Sequence, residues 1–146
     1  MRPTSRTDQT EHMKFELLDV IVEESPDRIV AIKQVSNAEE YLADHFPRFP
    51  VLPGVMMVET MAQAARRMLA DRGDTRLVLG QVRSLKFGSM VRPGEALEVE
   101  VSLHAEEEDG SYSCRGVGRV RRAGVPAETA VSGRFTMRPI CRPQRA

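Results

Sequence analysis

The residues best suited to acid–base chemistry lie together in one segment of the chain. His45 opens a run with prolines at positions 47, 50 and 53, and Glu59 follows the Pro53-Gly54 pair. An imidazole can take or return a proton near neutral pH, and a carboxyl group can exchange a proton with a hydroxyl group. The pair therefore has the functional groups for general acid–base catalysis.

The residues between this pair could bind an oxygen atom that gains negative charge. Proline is favoured in the first turn of a helix, so Pro53 predicts a helix start beside Gly54. A helix start has backbone N–H groups without partners and the positive end of the helix dipole. Gly54 has no side chain to block the approach of a substrate. The segment therefore predicts a base, an acid and an oxyanion site within one stretch.

The same residues also have interpretations without catalysis. A histidine in a loop is often a surface or capping residue, and a glutamate near a helix start often only complements the helix dipole. Glu59, Gln63, Arg66 and Arg67 share one helix face, which is also typical of a solvated stripe with ion pairs. The spacing alone is compatible with both interpretations.

A stiff loop and a buried helix are predicted to position these residues. Three prolines so close together do not fit a helix or a central strand, so residues 37–53 are predicted to form a loop. The helix that follows is predicted to end near Gly73. Its apolar residues form two rows at helical spacing, which predicts a largely buried helix. The rows are Val55, Val58, Ala62, Ala65 and Leu69, and Met57, Met61, Ala64 and Met68, with a polar remainder of Glu59, Thr60, Gln63, Arg66 and Arg67.

The rest of the chain has the pattern of β-strands. Residues 14–24 and 28–35 are two predicted strands joined by a turn at 25–27, and residues 76–87, 97–104, 111–122 and 127–137 are four more. Two strands, one helix and four strands predict an α+β fold with one helix packed on an antiparallel sheet. We expect a flexible lead-in at 1–12, a single domain at 13–140 and a flexible tail at 141–146.

The composition excludes several classes of partner. Lys and Arg total 21, as do Asp and Glu, so net charge gives no reason to expect a nucleic acid or a membrane surface. No apolar run is long enough to span a bilayer, and the first 12 residues lack a secretory h-region, so we expect a cytoplasmic protein.

Cys114 and Cys141 are far apart, and the three histidines are 12, 45 and 104. No ligand set has metal-site spacing, so we expect reduced thiols, no metal and no organic cofactor.

The central segment resembles a known family signature. The run HFPRFPVLPGVMMVETMAQAA is similar to that of the FabZ-type 3-hydroxyacyl-[acyl-carrier-protein] dehydratases, which share His-Phe-Pro, two further prolines, Pro-Gly-Val, Glu and Met-Ala-Gln. A weaker match runs from Lys86-Phe87 to Glu95, and the resemblance covers most of residues 14–137. Asp44 and Arg48 stand where the family usually has glycine, and Gly88-Ser89 replaces a common basic pair. The resemblance implies fatty-acid, lipid or polyketide synthesis, and these departures are compatible with a specialised pathway as well as with a housekeeping one.

The resemblance implies a fold, a reaction and an assembly. The fold is a hot dog, in which a curved antiparallel sheet wraps a long central helix, and such proteins form homodimers and trimers of dimers. The substrate is a (3R)-3-hydroxyacyl chain on acyl carrier protein, or on coenzyme A. His45 removes the proton next to the thioester carbonyl, and Glu59 helps the 3-hydroxyl leave as water. The backbone of Gly54 and Val55 binds the carbonyl, Gln63 orients Glu59, and two chains share each site.

Two other functions remain open. A hot-dog acyl thioesterase would hydrolyse the thioester, but its usual carboxylate is not accompanied by a His-Phe-Pro loop. A non-catalytic acyl-binding module would need neither His45 nor Glu59, and the chain has both. The basic residues Arg48, Arg66, Arg67 and Lys86 are compatible with contacts to an acidic carrier protein and equally with a solvated surface.

Overall fold

A computed structural model describes residues 16–36, 51–72 and 76–140. The strands are β1 (Val20–Ser25), β2 (Arg28–Gln34), β3 (Leu77–Phe87), β4 (Ala96–Glu106), β5 (Tyr112–Arg121) and β6 (Glu128–Pro139), and the helix α1 is Gly54–Met68. The predicted order of two strands, one helix and four strands is confirmed. The predicted lead-in, the tail and most of the proline loop lie outside the described residues, as does Gly73.

The six strands form one antiparallel sheet in the order β1-β2-β4-β5-β6-β3. The alternation in β4 decides which face is covered, because Leu97, Val99 and Val101 are fully buried while Glu98 and Glu100 lie on the other face. The edges are β1 and β3, and from Gln81 to Phe87 the residues of β3 are exposed. One face of the sheet therefore holds the core, and β3 presents an open edge.

Helix α1 lies against the buried face of the sheet. Met57, Met61, Ala64, Ala65 and Met68 are all buried there. Gly116 on β5 allows this contact, because a Cβ at that position would lie 2.5 Å from Met61 Sδ and 3.1 Å from Phe135 Cε1. The small residues on both surfaces let the helix approach the sheet closely.

The ends of α1 differ in part from the sequence prediction. The helix begins at Gly54 after Pro53, as expected, but it ends at Met68 and not near Gly73. Leu69 has φ −94° and ψ 5°, and the N–H of Arg72 bonds to the Leu69 carbonyl at 3.1 Å, so the chain tightens into a 3₁₀ turn over Ala70–Arg72. Within the described residues, no helix is both long and apolar enough to cross a bilayer.

Two helix positions and one strand start were predicted wrongly. Val55, counted in an apolar row, lies in the first turn of the helix and is 71% exposed. Thr60, counted with the polar residues, is fully buried, and its hydroxyl donates to the Met56 carbonyl at 2.7 Å. The first strand starts at Val20 and not at residue 14, because the Leu17 N–H bonds to α1 and the Asp19 carboxylate accepts the Gln34 N–H.

We predict that Gly116→Val destabilises the fold. The added side chain would overlap Met61 and Phe135, and overpacking of a dense core costs about 1–3 kcal/mol. The free energy of unfolding in urea measures this loss. Val117→Ile, a small enlargement on the other face of the same strand, is the control and should stay within about 0.5 kcal/mol of wild type. Equal stability of the two variants would contradict the close contact.

Candidate active site

A chain of two hydrogen bonds holds the carboxylate of Glu59. Gln63, one helical turn later, donates from Nε2 to Glu59 Oε2 at 3.1 Å. The Oε1 of Gln63 accepts the backbone N–H of Leu17 at 2.8 Å. A backbone N–H can only donate, so the bonded atom of Gln63 must be its oxygen, and its NH₂ group must face Glu59. Among the described residues nothing bonds to the second oxygen, Glu59 Oε1, which leaves it open to another partner.

The polar face of α1 is not a simple ion-pair stripe. Arg66 donates from Nε to the Leu77 carbonyl at 3.0 Å, and Arg67 pairs with Glu24 at 3.2 Å. Neither arginine pairs with Glu59 among the described residues. Both arginines therefore have structural partners; of the basic residues compatible with carrier-protein contacts, Arg67 and Lys86 are exposed and Arg66 is half-buried. Arg48 lies outside the described residues.

The N-terminus of α1 retains free hydrogen-bonding capacity. Pro53 is the N-cap and makes no side-chain capping bond, and the first turn contains no acid. The Met56 and Met57 N–H groups bond to the Pro53 carbonyl at 3.0 and 3.2 Å. The N–H groups of Gly54 and Val55 lie in the first turn, where no helical carbonyl precedes them to accept a hydrogen bond. Among the described residues these two N–H groups have no partner, so they and the positive end of the helix dipole are available to a negatively charged oxygen.

Phe87 is a residue of this region that the sequence interpretation did not single out. A Cβ at position 54 would lie 2.7 Å from Phe87 Cζ and 2.8 Å from Cε1, so the ring rests against the glycine. Phe87 is the last residue of β3 and is 54% exposed. Glycine is therefore needed here for the packing of an aromatic ring as well as for access to the helix start. The weaker Lys86-Phe87 match was the signal that could have identified it.

The other candidate residues fall into separate places. His45 lies outside the described residues, so its pairing with Glu59 in one site stays a prediction. His104 is exposed on β4. Cys114 is a free, buried thiol whose pKa burial raises to about 12. The described residues contain no group of three or more His, Cys, Asp or Glu side chains able to hold a metal ion.

Relatives of known sequence match most of the chain. The ApeI-like family, described as ApeI dehydratase, matches residues 21–124. The 3-hydroxyacyl-[acyl-carrier-protein] dehydratase FabZ of Pseudothermotoga lettingae is 38% identical over 118 residues, which are 80% of this chain and 84% of that protein. The FabZ protein of Thermotoga neapolitana is 39% identical over 112 residues, which are 76% of this chain and 80% of that protein.

Solved structures share the fold at low sequence identity. An uncharacterised protein of Erwinia carotovora has a TM-score of 0.63 and 22% identity, covering 83% of this chain and 91% of its own. A Streptococcus mutans protein bound to acetyl CoA has a TM-score of 0.64 and 13% identity, and the match covers 89% of this chain and 94% of that protein. An Agrobacterium tumefaciens acyl-CoA hydrolase has a TM-score of 0.63 and 16% identity, and the match covers 86% of this chain and 48% of that protein.

These similarities confirm the predicted α+β hot-dog fold, in which one helix packs on an antiparallel sheet. The family match and the FabZ relatives each extend over most of the chain. The chain therefore belongs to the ApeI-like family of FabZ-type dehydratases.

Proposed function

We propose that this protein converts (3R)-3-hydroxyacyl thioesters, carried on acyl carrier protein, into trans-2-enoyl thioesters and water. The observation that carries the proposal is the bond from Gln63 to Glu59, which orients a carboxyl group near an uncapped helix start. The FabZ relatives are named as dehydratases of 3-hydroxyacyl-[acyl-carrier-protein], which supports the substrate class. Coenzyme A thioesters are the second carrier to test.

The proposed reaction begins with neutral His45 and the acid form of Glu59. His45 takes the proton from C2, next to the thioester carbonyl, and the electrons of that bond move toward the carbonyl. Glu59 gives its proton to the 3-hydroxyl, the C3–O bond breaks and water leaves. The C2–C3 double bond forms, and one proton passes from His45 back to Glu59 to restore the starting state. No metal or organic cofactor enters this scheme.

The backbone at the start of α1 is proposed to stabilise the intermediate charge. As C2 loses its proton, negative charge develops on the thioester oxygen. The N–H groups of Gly54 and Val55 are fixed donors and need no rearrangement to meet that charge. With Glu59 Oε2 bonded to Gln63, the proton for the leaving hydroxyl belongs on Oε1.

The edge strand β3 supports a site built from two chains. Val82, Leu85 and Phe87 are exposed apolar residues on this edge, and an open apolar edge is a surface that proteins normally cover. We propose that a second copy covers it in a cytoplasmic homodimer, which can assemble further into a trimer of dimers. His45 of one copy would then face Glu59 of the other.

One assay separates dehydration from the two rival functions. The enoyl thioester absorbs in the ultraviolet, whereas a thioesterase would release a free thiol that a disulfide reagent detects. A non-catalytic binding module would produce neither signal. We expect enoyl formation without stoichiometric thiol release. Thiol release without enoyl formation would replace the proposal with a thioesterase.

We predict that His45→Ala and Glu59→Gln each reduce kcat by about 10²- to 10⁴-fold, because each removes one acid–base group. Initial rates of enoyl formation measure the effect, and circular dichroism tests that the fold is kept. Glu24→Gln removes a carboxylate that pairs with Arg67 and is the matched control, with near-wild-type turnover expected. A folded His45 or Glu59 variant with wild-type turnover would refute the assignment.

We predict that Gln63→Ala lowers kcat by about 10- to 100-fold with little change in KM, because Glu59 loses the donor that orients it. Gln63→Glu keeps the size of the side chain but removes the amide donor that faces Glu59, so kcat should fall in this variant too. A purely structural role for Gln63 would lower the stability of both variants and leave kcat of the folded protein unchanged.

We predict that inactive His45→Ala and Glu59→Gln proteins regain activity when unfolded and refolded together. With random two-fold pairing about half of the dimers are mixed, and each mixed dimer has one intact site, so about a quarter of wild-type activity should return. Native mass spectrometry checks that mixed dimers form. Mixed dimers without activity would place both residues of a site on one chain.

A further inference from the structure

Three arginines stand side by side on neighbouring strands, on the face of the sheet opposite to α1. Arg83 on β3 pairs in register with Arg134 on β6, and Arg134 pairs in register with Arg115 on β5. All three are exposed. Arg115 lies between Cys114 and Gly116, two positions on the core face of β5. Successive residues of a strand alternate between faces, so the Arg115 side chain is on the outer face. We name Arg83, Arg115 and Arg134 the arginine row.

Other arginines on the outer face have acidic partners. Glu100 on β4 accepts from Arg28 at 2.9 Å and from Arg119 at 3.3 Å, and Glu98 pairs with Arg121. Farther along β4 the outward positions change to Ser102 and His104, and Ser102 is the residue opposite Arg115. Glu98 and Glu100 thus neutralise the arginines beside them, whereas the outward residues of β4 next to the arginine row are not acidic.

The charges of the arginine row are not neutralised within the part of the chain that the structure describes. Arg115 and Arg134 make no ion pair there, and Arg83 donates only to the neutral side-chain oxygen of Gln81, at 3.0 Å. Like charges directly opposite one another destabilise a sheet. The row therefore has an unfavourable interaction that a bound anion would relieve.

The arginine row lines a cavity. The cavity has a volume of about 620 Å³, and its lining also includes Ser113, Thr136 and His104. One acid, Glu107, is present, and its carboxylate accepts the Ser113 hydroxyl at 2.9 Å. A volume of this order is typical of sites for small ligands, whereas an acidic protein surface would need no cavity.

We infer that this cavity binds a small anion with two or more phosphate groups, of the kind found in nucleotides and nucleotide-containing coenzymes. A guanidinium group matches a phosphate with two parallel hydrogen bonds. Residues opposite each other on paired strands are about 5 Å apart, so adjacent phosphates of one ligand can meet adjacent arginines. The site lies on the other face of the sheet from Glu59 and goes beyond the proposed dehydration.

Calorimetric titration with inorganic pyrophosphate at low ionic strength tests this inference. We expect saturable binding, weaker binding of orthophosphate, and a loss of at least about tenfold in pyrophosphate affinity in Arg134→Gln, the centre of the row. Arg115→Gln should show a loss in the same direction. Arg121→Gln makes the same charge change on the same strand and face, outside the cavity, and should stay within about twofold of wild type.

The controls separate this site from the catalytic one and from general charge effects. Glu59→Gln should bind pyrophosphate like the wild type, and thermal melts of the arginine variants should show that the fold is intact. Equal weakening in Arg134→Gln and Arg121→Gln would reduce the effect to net charge and overturn the inference. No pyrophosphate binding, binding of orthophosphate with equal affinity, or an Arg134-dependent complex with an acidic protein alone would also overturn it.

Discussion

The close contact between α1 and the sheet determines where the candidate catalytic groups carried by the helix lie. Gly116 has no side chain, so Met61 fits against β5 and the helix rests directly on the strands. With Met61 held inward, Glu59 and Gln63 lie on a partly buried helix face, where Gln63 reaches the backbone of Leu17. The same contact brings the helix start to Phe87. A side chain at Gly116 would shift Glu59 and the N–H groups of Gly54 and Val55 together, because one rigid helix carries them all.

Strand β3 links features that look unrelated in the sequence. Phe87 at its end packs against Gly54, its exposed edge carries the apolar side chains of Val82 and Leu85, and its middle supplies Arg83 to the arginine row. Register shifts between Leu79 and Val82 and between Arg83 and Lys86 interrupt its pairing with β6. Bulges of this kind re-aim side chains at sheet edges. A partner at this edge would thus contact the surroundings of the helix start and the end of the arginine row at once.

Local patterns in the sequence were sufficient for the order of elements and the helix start. The alternation of Leu97, Val99 and Val101 identified β4, and Pro53-Gly54 identified the beginning of α1. Contacts between distant residues could not be predicted in this way. Leu17 bonds to Gln63, a residue 46 positions away, and the arginine row exists only once three strands are in register. Spacing along a chain does not encode such pairings, which come from tertiary packing.

The bond from Leu17 to Gln63 connects Glu59, the proposed catalytic acid, to one border of the sheet. Leu17 is buried, but it precedes β1, an edge strand with a single neighbour and mostly exposed side chains. Edge segments open at lower free energy than the core, without global unfolding. Fraying of this border would release the amide of Gln63 while α1 stays packed. If Glu59 is the acid, activity on warming would then fall with this local opening, visible as early amide hydrogen exchange at Leu17, before the domain melts.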